Sequence, residues 1–331
     1  TTASGSYSLA MGQSTTASGS YSLAMGQSTT ASVGNSVAMG SQTTASNFYA
    51  TAMGKSTTAS GQASTAMGDN TEASGNRSTA MGGFTTASGL TSTAIGLSTT
   101  ASGVNSTAMG DGTTASGENS TALGSNTTAS GINTTAMGGT TTALGWYSTT
   151  MGVQTIAQAN ASLVLGRNNV ITGTINSWVS TDPVLVVGNG SSTANRANAF
   201  TLLKNGNLTI AGTLTQNSDR RLKTDIHPLS DALSAIMRLQ PVRYRFRAGT
   251  NRPQGVQIGL IAQEVQAVFP ELVREEADGY LSLSYANLSA VLVQALKEQQ
   301  AQIDTLQERL ERLEIMLLQA STGSETVSSD Q

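Results

Sequence analysis

The 331-residue sequence has no cysteine, which excludes disulfides, thiolate catalysis and cysteine metal sites but identifies no compartment. Charged residues make up only 11% and aromatics 4%, which argues against an ordinary globular enzyme. The single histidine, His227, is the one residue through which a Ser-His-Asp triad would have to run. It leaves an imidazole zinc site without histidine partners. A solvated loop histidine before Pro228 is the expectation, with no metal. There is no GxGxxG and no P-loop, so no cofactor is expected. No run of about 18 apolar residues exists, and residue 1 opens inside a repeat rather than in a signal-like segment, so no membrane insertion is expected. A net charge of -3 without a basic stripe gives no footprint for nucleic acid.

What is present is a period. Glycine recurs every 14 residues at Gly12, Gly26, Gly40, Gly54, Gly68, Gly82, Gly96, Gly110, Gly124, Gly138, Gly152 and Gly166, the signature of a repeat architecture. Each unit splits into two related sevens, as in Thr58 to Ser64 followed by Thr65 to Thr71. The seven is not a coiled-coil heptad. Gly and Thr are poor helix formers, one glycine per seven costs a helix about 1 kcal/mol each time, and no apolar a/d pair recurs. Short alternating segments ended by glycine read instead as strand and corner, twice per turn of a parallel β-solenoid.

Methionine precedes nine of these glycines (Met11, Met25, Met39, Met53, Met67, Met81, Met109, Met137 and Met151), with Ile95, Leu123 and Leu165 in the same slot. This column is expected to be buried, as packing rather than as a soft-metal site. One coil offers only a thin stripe of Ala and Met, so stacked coils and three chains about an axis are needed to close a core. A homotrimer follows. The two residues after each glycine vary most and are expected to be exposed at corners. Phe48, Tyr49, Trp146 and Tyr147 are the candidates there for surface recognition of a glycan or protein receptor, although scattered surface hydrophobes need no such role.

The box Asn105 to Gly110 and its copies resemble the YadA-like head repeat of trimeric autotransporter adhesins. That resemblance implies a left-handed parallel β-roll in a tightly wound trimer that binds surfaces through its outer face. The copies depart at Val33-Gly34 and Asn47, and the pattern decays from Trp146-Tyr147.

Composition then changes. Residues 1–166 hold two basic and four acidic side chains, whereas 218–331 hold twelve and fifteen. Between them, strand-like pieces at 183–188, 199–203 and 207–210, separated by turn pairs Asn189-Gly190 and Asn205-Gly206, read as a β neck. The run Ser218-Asp219-Arg220-Arg221-Leu222-Lys223-Thr224-Asp225-Ile226, continued through Leu239 to Tyr244, Gly259 to Val265, Phe269-Pro270 and Tyr285, resembles the endosialidase-type intramolecular chaperone, the S74 peptidase domain. The resemblance implies that the trimerised domain cuts its own chain before the serine. It makes Ser218 the nucleophile, Lys223 the base and Asn217-Ser218 the scissile bond. A hydroxyl adjoining the bond it attacks is already in place, and a lysine base requires a lowered pKa. Asp219 is a possible support for Lys223, or a turn cap.

Helical spacing at 231–238 and 262–269 and alternation at 242–247 predict an α+β module. Beyond Tyr285 a heptad runs with Leu296, Ile303, Leu310 and Leu317 at a and Leu292, Gln299, Leu306 and Leu313 at d, a self-association seam. The expected organisation is a mainly β fibrous homotrimer: repeats over 1–166, neck over 167–217, chaperone core over 218–287, coiled-coil helix over 288–319 and disordered tail over 320–331. The expected function is that of a receptor-binding tail fibre of a virion or phage-like particle, with baseplate or other fibre proteins as further partners. A secreted or cell-surface adhesin is the alternative, and the lack of an outer-membrane barrel pattern favours the first.

Overall fold

The computed structural model describes residues 1–325. The chain divides into two compact units, residues 1–215 with 251–253, and the remainder from 216.

In the first unit each 14-residue coil contributes two strands. A two-residue strand such as Thr58–Ala59 is followed by a five-residue strand such as Thr65–Asp69. The short strands stack into a 12-stranded parallel sheet. The long strands form most of a second, 15-stranded sheet. Every pairing between successive coils sets residue i against i+14, as in Thr65 against Thr79 and Met67 against Met81, so the expected parallel solenoid is what the chain forms.

The glycine period has a steric cause. From Gly12 to Gly152 these residues hold φ between +118° and +130°, a region closed to L side chains. A Cβ there would also overlap the carbonyl oxygen of the glycine one coil on. A second feature carries no fixed residue type: every seventh residue from Tyr7 to Asn168 is left-handed, at φ between +44° and +62°, and Tyr, Phe, Thr, Ala and Arg occupy that corner as well as Asn.

The core within one chain is built from smaller side chains than methionine. The side chains at zero exposure are the alanines flanking the methionines and those of the short strands, for example Ala52, Ala59, Ala66 and Ala73. Behind them lie columns of Thr and Ser, such as Thr57, Ser64, Thr85 and Ser92. The methionine column takes the outer side of the long strands: within one chain Met25, Met39, Met53, Met67, Met81 and Met137 are half-buried, and Met11, at 51%, and Met109, at 40%, are exposed. Successive strand residues face opposite sides, and the inner slots hold small side chains, Ala, Ser and Thr, with Val164 in the last coil. Since Ala takes the inner side, Met takes the outer.

Beyond the last coil strand, Leu163–Arg167, the long sheet continues. Pro183–Asn189 adds in parallel, and Asn198–Leu203 and Leu208–Ile210 follow antiparallel. The neck strands are thus an extension of the solenoid sheet.

Among its described residues the second unit has three α-helices: α1 (Ala232–Ile236), α2 (Ala262–Gln266) and α3 (Tyr285–Glu325). Two hairpins accompany them, Val242–Tyr244 with Gln257–Gly259 and Val273–Glu275 with Leu281–Leu283. Ala232, Val265, Phe269, Leu272, Val291 and Ala295 form the core. Residues 288, 291 and 295 put one stripe of α3 on that core, while Leu292, Leu296, Ile303, Leu306, Leu310, Leu313 and Leu317 on the other stripe are exposed. The helix does not stop at 319. It continues to Glu325, so the expected tail is helical over 320–325, and 326–331 lie outside the described residues.

Candidate functional site

The segment leading to the proposed scissile bond has no regular structure. Residues 213–218 make no backbone hydrogen bond with the described residues, and every residue from 206 to 231 is exposed. Order resumes at Asp219, whose side chain caps the one-turn 3-10 helix Arg220–Leu222 by accepting the Arg221 N–H at 2.8 Å. Its other oxygen takes the Arg221 Nη2 at 2.7 Å, a bidentate arrangement that also fixes the arginine. The Arg221 side chain foremost, and its backbone N–H second, hold the Asp219 carboxyl below the usual carboxylate range.

That single turn brings Lys223 back over the start of the motif. Lys223 Nζ donates to Ser218 Oγ at 2.7 Å, so the two residues proposed as base and nucleophile share a hydrogen bond. Asp219 bonds to Arg221 rather than to Lys223. Asn217, on the acyl side of the bond, is exposed. A serine hydroxyl adjoining a peptide carbonyl and bonded to an amine can accept the acyl group once the amine removes its proton.

Two contacts tie the elements of the second unit to α3. Tyr285, the first residue of α3, accepts the Leu260 N–H at 2.9 Å, and a Cβ at Gly259 would strike its hydroxyl. The contact ties the start of the Gly259 to Val265 run to the first turn of α3. Glu298 on α3 accepts the N–H of Leu233 at 2.8 Å and of Ala232 at 3.2 Å, capping α1 from a distant part of the chain. The Leu233 N–H foremost, then Gln294, holds the Glu298 carboxyl below its ordinary range. Asp231, the local cap residue, makes no side-chain cap bond. No sequence signal marked Glu298, because a cap supplied from 65 residues away has no local pattern.

The corner candidates separate. Tyr7, Tyr21, Phe48, Tyr49 and Tyr147 are exposed. Tyr7 and Tyr21, one coil apart, stack with ring centroids 5.2 Å apart and planes at 11°, and Phe48 and Tyr49 are tilted at 43°. Trp146 is half-buried, and its backbone N–H donates to the Ile175 carbonyl of the loop beyond the coils. It is therefore the least available of the four. Further along the same corner a side-chain ladder runs from the Thr91 hydroxyl, which donates to Asn105, through the amides of Asn105 and Asn119 to Asn133, with Asn to Asn bonds of 3.0 and 3.2 Å.

With this geometry in view, known families align with both halves. Overlapping two-repeat windows running from 3–29 to 101–127, and then 129–149, match the YadA head domain repeat. Residues 218–274 match the chaperone of endosialidase, peptidase S74. The chain joins these two parts. Among curated proteins it is similar to the long tail fiber protein Gp37 of Salmonella phage S16, at 30% identity over 154 residues, 44% of this chain and 20% of that protein. It is also similar to myelin regulatory factor homolog 1 of Caenorhabditis elegans, at 32% identity over 101 residues, 28% of this chain and 11% of that protein. The chain thus corresponds to about a fifth or less of either relative.

Proposed function

We propose that this chain forms a homotrimeric, receptor-binding tail fibre whose C-terminal module aligns the three chains and then cuts itself off at Asn217-Ser218. The hydrogen bond between Lys223 Nζ and Ser218 Oγ carries the self-processing. The site is exposed in the single chain, so the desolvation that makes a lysine a base is supplied by the neighbouring chains. Cutting thus awaits assembly. The outward column of Met, Ile and Leu and the uncovered heptad of α3 are the two surfaces that three chains cover, one along the shaft and one at the module.

Register is the task of the module. Every coil pairs with the next through the same residues, so a slip by one coil is nearly isoenergetic. Trimerisation at the C-terminus sets all chains to one starting point. Removing the template afterwards leaves a shaft that unfolds slowly and has no nucleus for return. The phage tail-fibre relative favours a virion over a cell surface as the location. The exposed Tyr7, Tyr21, Phe48 and Tyr49 corner supports contact with a cell-surface glycan or protein receptor.

The test is a denaturing gel with intact mass. The full chain is expected to yield two fragments divided at 217/218, and Ser218→Ala and Lys223→Met to remain single chains. Cleavage of Ser218→Ala at that bond, or a parent that never cuts, overturns the processing. Native mass of Ser218→Ala should show a trimer, and a monomer refutes the assembly.

A further inference from the structure

We infer that Asn217 is itself a catalytic residue: its side-chain amide, rather than water, releases the shaft from Ser218 by closing a succinimide ring on its own carbonyl carbon. This rests on the processing described above and concerns its second half.

The covalent bookkeeping has two steps. First, Ser218 Oγ attacks the Asn217 carbonyl carbon while Lys223, in its amine form, takes the hydroxyl proton. The C–N bond breaks, and that proton goes to the Ser218 nitrogen. Asn217 is now esterified to Ser218, whose amine is free. Second, Asn217 Nδ2 attacks the same carbonyl carbon and forms a five-membered imide. The C–Oγ bond breaks, and the proton lost by Nδ2 restores the Ser218 hydroxyl. No water, oxidant or other reactant enters.

Three observations favour this route over hydrolysis. The residue on the acyl side is asparagine, so the attacking nitrogen and the carbonyl carbon belong to one residue and close a ring of low strain, with the proximity advantage of an intramolecular step. Imide closure requires the backbone around the residue to turn freely, and 213–218 make no backbone hydrogen bond with the described residues. Nor does the Asn217 amide have a hydrogen-bond partner among them to hold it away. Hydrolysis, in contrast, needs a base to activate water. The carboxylate adjoining the bond, Asp219, has both oxygens on Arg221, and Lys223 is placed on Ser218 Oγ.

The experiment follows the full-length chain from first synthesis, with aliquots quenched in acid, where an imide persists, and read by intact mass. The two fragments are expected to sum to the mass of the precursor. Asn217→Ala, and Asn217→Gln with its slower six-membered closure, are expected to cut at least tenfold more slowly and to accumulate a full-length chain that hydroxylamine splits at 217/218, the trapped ester. Cleavage of Asn217→Ala at the parental rate, or fragments that sum to the precursor plus one water in the earliest quench, overturns the imide step and leaves the Ser218–Lys223 reading standing. A parent that stays whole, or a Ser218→Ala chain that cuts, sinks both together.

Discussion

Replacing buried threonines of the solenoid with valine is expected to stabilise it. Thr57, Thr99 and Thr141 occupy one slot in three coils, each with zero exposure, and none of their hydroxyls has a hydrogen-bond partner. A buried hydroxyl without a partner costs about 1–3 kcal/mol. Valine has nearly the same shape and suits a strand, so each exchange should gain about 1 kcal/mol, the low end of that range. The three sites are separated by three coils, about 14 Å at the ~4.8 Å spacing of paired strands, far enough for the gains to add. The triple variant should then be more stable by about 3 kcal/mol, roughly a hundredfold in the unfolding equilibrium. The same slot contains its own control. Thr155 lies one coil beyond Thr141 in the column, but its hydroxyl is bonded to that of Thr150 at 2.7 Å. Thr155→Val leaves Thr150 buried and unpaired, and should cost about 1 kcal/mol or more. The assay is guanidinium unfolding of the Ser218→Ala background followed by circular dichroism, with unfolding rates as well as midpoints because a repeat shaft need not refold. A triple variant less stable than the parent would mean that the column hydroxyls are satisfied. Equal effects at Thr99 and Thr155 would show that partnering does not decide the outcome.

Other consequences are as specific. Gly82→Ala places a side chain at φ +122° and against the Gly96 carbonyl; the backbone term alone is about 1–3 kcal/mol. The variant should lose soluble yield or melt well below the parent, and an unchanged melting curve refutes the close approach. Glu298→Gln should weaken the second unit at neutral pH. Because the folded-state pKa of Glu298 is depressed, its contribution is complete above the unfolded carboxyl value of about 4.3 and is lost as pH falls through the lower folded value. The parent and Glu298→Gln melting temperatures should therefore differ at pH 7 and converge in acid. A gap that widens on acidification contradicts the cap. Thr140→Asn should raise the shaft's melting temperature, because Thr140 holds φ +54° and a β-branched residue in that region is strained by about 1 kcal/mol relative to asparagine.

The solenoid was legible because its glycine period is enforced twice, by φ and by contact with the next coil, and no other residue meets both demands. The side of the strand that faces inward was not legible. Alternation gives two faces without saying which is inner, and the inner slots are taken by Ala, Ser and Thr while Met lies on the outer face. The left-handed corners left no mark either, since exposed positions tolerate strain in residues as different as Tyr7, Ala63 and Arg77. In the second unit, α3 was visible from its spacing, although its end was placed too early because the polar composition from Ala320 does not terminate a helix by itself. Ser218 and Lys223 stood out through a contiguous motif. The turn that joins them needed the Asp219 cap, and the distant Glu298 clamp was invisible.

The unbroken pairing of residue i with i+14 also bears on evolution. Adding or deleting one whole coil preserves every contact type along the stack, and it changes the reach of the shaft by about 4.8 Å without redesigning anything else. Length is thereby uncoupled from fold. The same repetition in the coding sequence invites recombination between copies, so a lineage can adjust the distance between its attachment point and its target in uniform increments. The aberrant coils at Val33 and Asn47 then serve as landmarks by which such gains and losses can be counted.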